Sequence, residues 1–206
     1  MENDELKNNL IKSYDNHAQE REARPLDDWK IELRGNFLAL LQQEGKRTFL
    51  EIGAGAGKDS KFFQDNGMDV TCIDLSPEMV KLCQQKGLST QVMDMANLQF
   101  PADSIDVVYT FNSLLHIPKT ELPLVLKNIH NILKSKGLFH LGTYGREEEF
   151  EGILEKDSYT PKRFFAFYSD EHIKQITTDL FELISFKRIN FEDNENHFQC
   201  LVLRKP

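Results

Sequence analysis

The densest chemistry in the sequence lies in the run Phe49-Leu50-Glu51-Ile52-Gly53-Ala54-Gly55-Ala56-Gly57-Lys58-Asp59-Ser60. An apolar strand passes into three alternate glycines and then into a helix start. Glycines at such a junction let backbone N–H groups approach a ligand closely and aim a helix N-terminus at it. A dinucleotide fingerprint has the spacing G-x-G-x-x-G, whereas position 58 here is lysine. Lys58 itself reads as a solvent-facing lysine of the first helical turn. A second signal follows in Cys72-Ile73-Asp74-Leu75-Ser76, where Asp74 ends the next strand about 20 residues after the first glycine. A carboxylate there can accept hydrogen bonds from both hydroxyls of a ribose. Its competing use is as a helix cap, but Ser76 followed by Pro77 already supplies one.

These residues need a scaffold, and the rest of the chain describes it. Asp27 caps a helix running through Leu41, with Trp29, Leu33, Phe37, Leu40 and Leu41 on one stripe. Strands are expected at 47–52, 69–74, 90–93, 105–112 and 137–144, alternating with helices at 56–66, 77–86 and 119–133. Such alternation implies a parallel sheet covered on both faces. After Tyr144 the rhythm breaks, and residues 145–168 are charged and aromatic without clear periodicity. A helix at 170–179 then precedes two strands, 183–190 and 197–204, joined by a turn rich in Glu, Asp and Asn. The expected fold is α/β: a Rossmann-like, doubly wound, mostly parallel seven-stranded sheet with a C-terminal antiparallel hairpin.

With 206 residues, the chain suits one domain. Its net charge of −8 repels phosphate backbones and anionic lipid, so nucleic acid is not the expected partner. Lys134 and Lys136 fall near a predicted helix end and read as dipole partners or solvated charge. The acidic start, Met1 to Glu5, has no apolar segment of signal-peptide type, and no apolar run approaches the ~20 residues of a membrane span. Cys72, Cys83 and Cys200 lack CxxC spacing, and no Cys/His cluster has metal-site spacing. Cys72 and Cys200, in strand-like segments, are expected to be buried free thiols, and a reducing cytoplasm fits the scattered, odd-numbered set.

Glu51-x-Gly53-x-Gly55-x-Gly57 followed by Asp74 resembles the cofactor-binding motifs of class I S-adenosylmethionine-dependent methyltransferases. The similarity continues through Met93-Asp94-Met95, Phe100-Pro101-Ala102-Asp103-Ser104-Ile105-Asp106-Val107-Val108, Leu114-Leu115-His116-Ile117-Pro118 and Leu133-Lys134-Ser135-Lys136-Gly137-Leu138. It spans roughly residues 47–143 and looks closest to the type 11/25 branch. The resemblance implies S-adenosylmethionine as cofactor and methyl transfer as the reaction. It also implies roles. The loop Gly53, Ala54, Gly55 and Gly57 would face the methionine part, and Glu51 would help bind its ammonium. Asp74 would hold the ribose, with Leu75 packing on the adenine and Ser76 beside it. Asp94 would accept from the adenine amino group, with Met95 as ring wall, and Phe111, Asn112 and Ser113 would line the sulfonium side. The charge pattern agrees, since Glu51, Asp74 and Asp94 suit a cationic ligand better than a diphosphate.

The four segments of the domain are then an N-terminal helical cap (1–46), a cofactor-binding core (47–143), a substrate lid (144–168) and a C-terminal helix and hairpin (169–206). Ligands of open α/β sheets bind beyond the carboxyl ends of the strands. The cap and lid would roof that point. Tyr14, His17, Arg21, Arg24 and Trp29 come from the cap. Tyr14 is the preferred cofactor contact, by resemblance to enzymes with an N-terminal Tyr-Asp near the methionine carboxylate. Tyr144, Arg163, Phe164 and Phe165, with Arg21 and Trp29, are the candidate acceptor wall. His116 is either a general base or a residue that shapes the start of a helix, and the second use is preferred, because aligned displacement needs no base when the acceptor is already nucleophilic. A small-molecule acceptor is expected. RNA or protein methylation, a noncatalytic cofactor-binding regulator and a nicotinamide oxidoreductase are the rival readings, the last disfavoured by the missing final glycine.

Overall fold

The structure, a computed structural model, describes residues 3–192 and 195–206. Three helices come first: α1 (Asn3–Asn16), α2 (Ala18–Ala23) and α3 (Asp28–Gln43). The alternating core follows as β1 (Thr48–Ile52), α4 (Lys58–Asp65), β2 (Asp69–Asp74), α5 (Pro77–Gln85), β3 (Ser89–Val92), β4 (Ile105–Phe111), α6 (Leu122–Ile132) and β5 (Leu133–Arg146). The chain ends with β6 (Phe150–Ile153), β7 (Phe164–Phe167), α7 (Asp170–Thr178), β8 (Glu182–Asn190) and β9 (Asn196–Arg204). The main sheet has the order β3-β2-β1-β4-β5-β9-β8. Its first five strands pair in parallel, and β9 runs antiparallel to both β5 and β8. This is the doubly wound, seven-stranded sheet with a terminal antiparallel pair that the sequence predicts. Strand order reverses between β1 and β4, which opens a crevice at their carboxyl ends.

Alternation along the strands sorts the two faces. Phe49, Val70, Val107 and Tyr109 pack with Phe37, Leu41 and Phe63 from α3 and α4. Leu50, Ile52, Val108 and Leu141 pack with Leu126, Ile129 and Ile173 from α6 and α7. Strands buried on both faces read as near-continuous apolar runs, which is why they were legible. The same alternation sends Glu51 into the Phe49 layer, where a carboxylate has no packing use.

Several boundaries depart from the sequence reading for local reasons. The α4 helix starts at Lys58, not Ala56, because Gly57 at its N-cap is left-handed (φ 73°). The α6 helix starts at Leu122, beyond Lys119, whose backbone N–H donates to Glu151 at 2.9 Å. The β5 strand begins directly after α6, with a bulge opposite Ile105–Val107, instead of at Gly137. Lys134 thus stands on the strand, two residues past the end of α6. Its ammonium pairs with Asp106 at 2.9 Å. Asp27 occupies the predicted N-cap, but its carboxylate pairs with Lys30 instead of a helix N–H. Ser76 does cap α5, accepting from Met79 N at 3.2 Å.

The largest departure is the stretch read as irregular. β6 and β7 form a separate two-stranded antiparallel ribbon with Phe150 opposite Phe167. Phe165, Ala166 and Phe167 are consecutive and all buried, so no alternation marks the strand. All three cysteines are free and buried. Among the described residues, no helix is long and apolar enough to cross a membrane, and no cluster could hold a metal. Asp193 and Asn194 of the acidic turn, like Met1 and Glu2, lie outside the described residues.

Candidate active site

Beyond the end of β1 the backbone turns sharply. Gly53 N and Ala54 N both donate to Ile73 O, at 2.8 and 3.0 Å, which pins the loop to the end of β2. Gly53, Gly55 and Gly57 all have positive φ, at 75°, 54° and 73°. Side chains rarely adopt that region. Their surroundings differ. A Cβ on Gly53 would stand 2.3 Å from Ser113 Cβ, whereas one on Gly55 would meet nothing within 4 Å. Open space therefore surrounds the place a side chain at Gly55 would take, as close approach of a ligand requires. The comparison predicts different outcomes for one substitution. Gly53→Ala adds overpacking to backbone strain and should lose ~2–5 kcal/mol of stability. Gly55→Ala carries only the strain of ~1–2 kcal/mol but should lose ligand affinity. Thermal melts with and without S-adenosylhomocysteine separate the two, and a Gly55→Ala protein that binds as well as the parent would refute the open-space argument.

Asp74 holds the other side of the loop. One carboxylate oxygen accepts from Gly55 N at 2.8 Å and the other from Ser76 N at 2.9 Å. Burial raises its pKa, against these backbone donors and the field of Arg21. Each oxygen retains a lone pair for a ribose hydroxyl. Glu51 is 3% exposed and accepts from Ser60 Oγ at 2.5 Å. Burial, reinforced by the neighbouring Asp59 carboxylate, pushes Glu51 well above the usual carboxylate range. A cationic ligand group would relieve that cost. Nearby, Asn112 Oδ1 is buried with no hydrogen-bond partner, an acceptor of the kind an ammonium fills.

These groups line one cavity of about 310 Å³ at the crevice between β1 and β4. Of the residues singled out from sequence, Tyr14, Glu51, Gly53, Ala54, Gly55 and Asp74 line it. So do Leu75, Ser76 and Met95 on one side, and Phe111, Asn112 and Ser113 on another. The acceptor candidates Arg21, Tyr144, Arg163 and Phe165 lie on its walls with His116. Gly57 sits behind the loop, where a Cβ would meet Cys83 Sγ at 2.7 Å. Asp94 faces a smaller adjoining cavity, which shares Leu10, Leu75, Met95 and His116 with the main one. There it pairs with Lys7 at 2.7 Å and caps Ala96 N. Phe164 lines that smaller cavity. Trp29 stands outside both, its ring 4.7 Å from that of Phe198. Lys58 is not simply solvated: its ammonium donates to Arg24 O, tying the glycine loop to the segment before α3.

His116 Nδ1 lies 2.8 Å from Phe164 O, so that nitrogen carries the proton and donates. Its Nε2 then accepts from the Tyr14 hydroxyl at 2.7 Å. Burial, reinforced by the Arg163 and Arg21 charges, lowers the His116 pKa to about 3 against the hydrogen bond to Phe164. The ring is neutral, and both nitrogens are engaged. Tyr14 is further held by Arg163 Nη1 at 3.1 Å.

Sequence reasoning missed the partners of these groups. Ser60 and Asp15 are the clearest cases, Asp15 accepting from Ser76 Oγ at 2.5 Å and so tying α1 to α5. Asp157, which takes the Arg163 guanidinium at 2.7 Å, is another. Asp15 stands next to a nominated residue and Ser60 ends the glycine-rich run, but only the fold brings them to Ser76 and Glu51.

Comparison with known proteins converges on the same region. Residues 50–141 match the family described as "Methyltransferase domain". Phosphoethanolamine N-methyltransferase 3 of Arabidopsis thaliana is 23% identical over 85% of this chain and 36% of its own length. Glycine N-methyltransferase of Rattus norvegicus is 27% identical over 72% of this chain and 56% of its own. The chain thus spans between about a third and somewhat over half of these curated relatives. Among solved structures, 1,6-didemethyltoxoflavin-N1-methyltransferase of Burkholderia thailandensis, with its acceptor and S-adenosylhomocysteine bound, superposes with a TM-score of 0.72 at 19% identity. The match covers 97% of this chain and 87% of that one. The glycine loop and the Asp74 carboxylate thus lie within the stretch, residues 50–141, that is similar to a methyltransferase domain, on a fold shared with that S-adenosylhomocysteine-bound enzyme.

Proposed function

We propose that the chain transfers the methyl group of S-adenosylmethionine to a small-molecule acceptor in the cytoplasm. The observation that carries this reading is the meeting of Asp74, the open space at Gly55 and the orphan acceptor of Asn112 in one cavity. The cofactor, when bound, supplies an electrophilic methyl group on a sulfonium. Asp74 binds the ribose, Glu51 and Asn112 receive the ammonium, and Leu75 and Met95 flank the adenine. Asp94 takes the adenine amino group in the adjoining cavity, in competition with Lys7. Tyr144 and Phe165 form the acceptor wall, and the cap and the 144–168 segment exclude water. His116 acts as a positioning residue: neutral and doubly bonded, it holds the Tyr14 hydroxyl in place instead of taking a proton. Proximity and alignment then supply the rate, and such effects reach roughly 7–11 kcal/mol.

The curated relatives above are methyltransferases of phosphoethanolamine and glycine, both small molecules. The space here is a cavity of about 310 Å³, of small-molecule size, within an acidic chain. Calorimetry with S-adenosylmethionine, S-adenosylhomocysteine and NAD tests the cofactor assignment, with micromolar binding of the first two and little of the third expected. Preferential NAD binding would overturn it. Incubation of metabolite fractions with isotopically labelled methyl donor then identifies the acceptor, and label appearing only in RNA or protein would refute the small-molecule assignment.

A further inference from the structure

The cavity gathers charges of both signs. Glu51, Asp59 and Asp74 come from β1, α4 and β2, while Arg21, Arg24 and Arg163 come from α2, the residue closing it, and the segment before β7. In a chain of net charge −8, that gathering of guanidinium groups is not background. Arg163 is neutralised locally by Asp157, through contacts of 2.7 and 2.9 Å. Arg21 is not. Among the described residues, its guanidinium reaches only the Tyr159 hydroxyl at 3.4 Å and the Tyr14 ring, 5.4 Å from the centroid. Among those residues no carboxylate forms an ion pair with it, and the nearby Asp74 is already held by two backbone amides. Arg24, one helical turn further on, lines the same cavity and makes no side-chain hydrogen bond or ion pair among the described residues. The half-buried Arg21 guanidinium, with no anion, is costly, and its planar fork matches a carboxylate or phosphate, whereas Arg24 is exposed at the rim.

We propose that the acceptor carries an oxyanion, a carboxylate or a phosphate, and that Arg21 binds it, with Arg24 as a second donor at the rim. The proposal rests on the methyltransferase reading above. Its physical logic is charge pairing. A sulfonium and an unpaired guanidinium in one cavity repel each other, and an anionic acceptor compensates the guanidinium as it fills the space between them. Anchored at that end, the acceptor directs its nucleophilic end toward the glycine loop. The cofactor's own carboxylate is the rival source of the same chemistry in this cavity.

The test uses the full chain saturated with S-adenosylhomocysteine, so that the cofactor carboxylate is already present. Inorganic phosphate and acetate are titrated in separately by calorimetry. Saturable binding at millimolar concentration is expected for at least one, and the tighter of the two identifies the class of oxyanion. Arg21→Gln should weaken it about tenfold or more while changing S-adenosylhomocysteine affinity by no more than about twofold. Arg21→Lys, which keeps the charge and loses the fork, should fall between, and serves if the glutamine variant does not fold. No saturable binding, or binding indifferent to Arg21, overturns the proposal. A tenfold loss of S-adenosylhomocysteine affinity in Arg21→Gln also overturns it and gives Arg21 to the cofactor. Failure of the parent protein to bind S-adenosylhomocysteine is a separate result, which strikes the methyltransferase reading itself.

Discussion

Asp74→Ala should weaken S-adenosylhomocysteine binding by about 10²-fold or more. Two charge-assisted hydrogen bonds to the ribose, at ~1.5–3 kcal/mol each, set the upper limit, and water replacing the carboxylate reduces it. From sequence alone, the fold would be expected to tolerate the change. The structure alters that expectation, because Gly55 N and Ser76 N both lose their acceptor. Unsatisfied donors cost ~1–3 kcal/mol, so a fall in melting temperature of about 2–4 °C per kcal/mol lost accompanies the binding defect. Calorimetry and thermal melting of the variant measure both. A folded Asp74→Ala protein with unchanged affinity would remove the ribose assignment.

Tyr14→Phe carries the second large effect. It leaves His116 Nε2 without a donor in a buried place and takes a partner from Arg163. The cap then loses its register on the cavity, and misplacement of about 1 Å at an aligned displacement can cost 10²-fold in turnover. The parent enzyme's pH profile tells positioning from base catalysis. Free histidine titrates near about 6.5, but burial holds His116 at about 3, so the ring stays neutral throughout the physiological range. The turnover profile should show no limb assignable to His116 there. A limb near the free-histidine value that disappears in His116→Ala, or a Tyr14→Phe enzyme with parental turnover, would return His116 to the role of base.

The frame of the site was legible because it is written in local rules. Glycines in left-handed turns, Ser76 before Pro77, and apolar strands between them each imply their own geometry. Hence β2 matched its predicted bounds, and Glu51, Gly55 and Asp74 face one cavity. What the sequence hid depends on distant pairing. Trp29 looked like an acceptor contact from its place in the cap, yet its ring belongs to the Phe198 cluster on β9. Asp94 was assigned to the adenine amino group, yet its carboxylate pairs with Lys7, from the first helix. The ribbon β6–β7 escaped notice because the buried run on β7 shows no alternation. Arg163 was visible as a cation, but not the Asp157 that neutralises it and so distinguishes it from Arg21.

The roof joins the two parts of the chain that sequence keeps far apart. Ser13 Oγ donates to Pro161 O, Asn16 Nδ2 to Thr160 O at 2.9 Å, and the His17 ring stacks on Tyr159 at 4.0 Å between centroids. The first two of these contacts span 148 and 144 residues. Pairings that distant are the slow ones in folding, since the loop they close must be gathered before they return any free energy. The contact between Asp74 and the glycine loop spans 19 residues. It forms on a shorter entropic scale. The Asp74 contact of the cavity floor is thus short-range and the roof contacts are long-range, so the roof weighs more heavily on the chain's contact order.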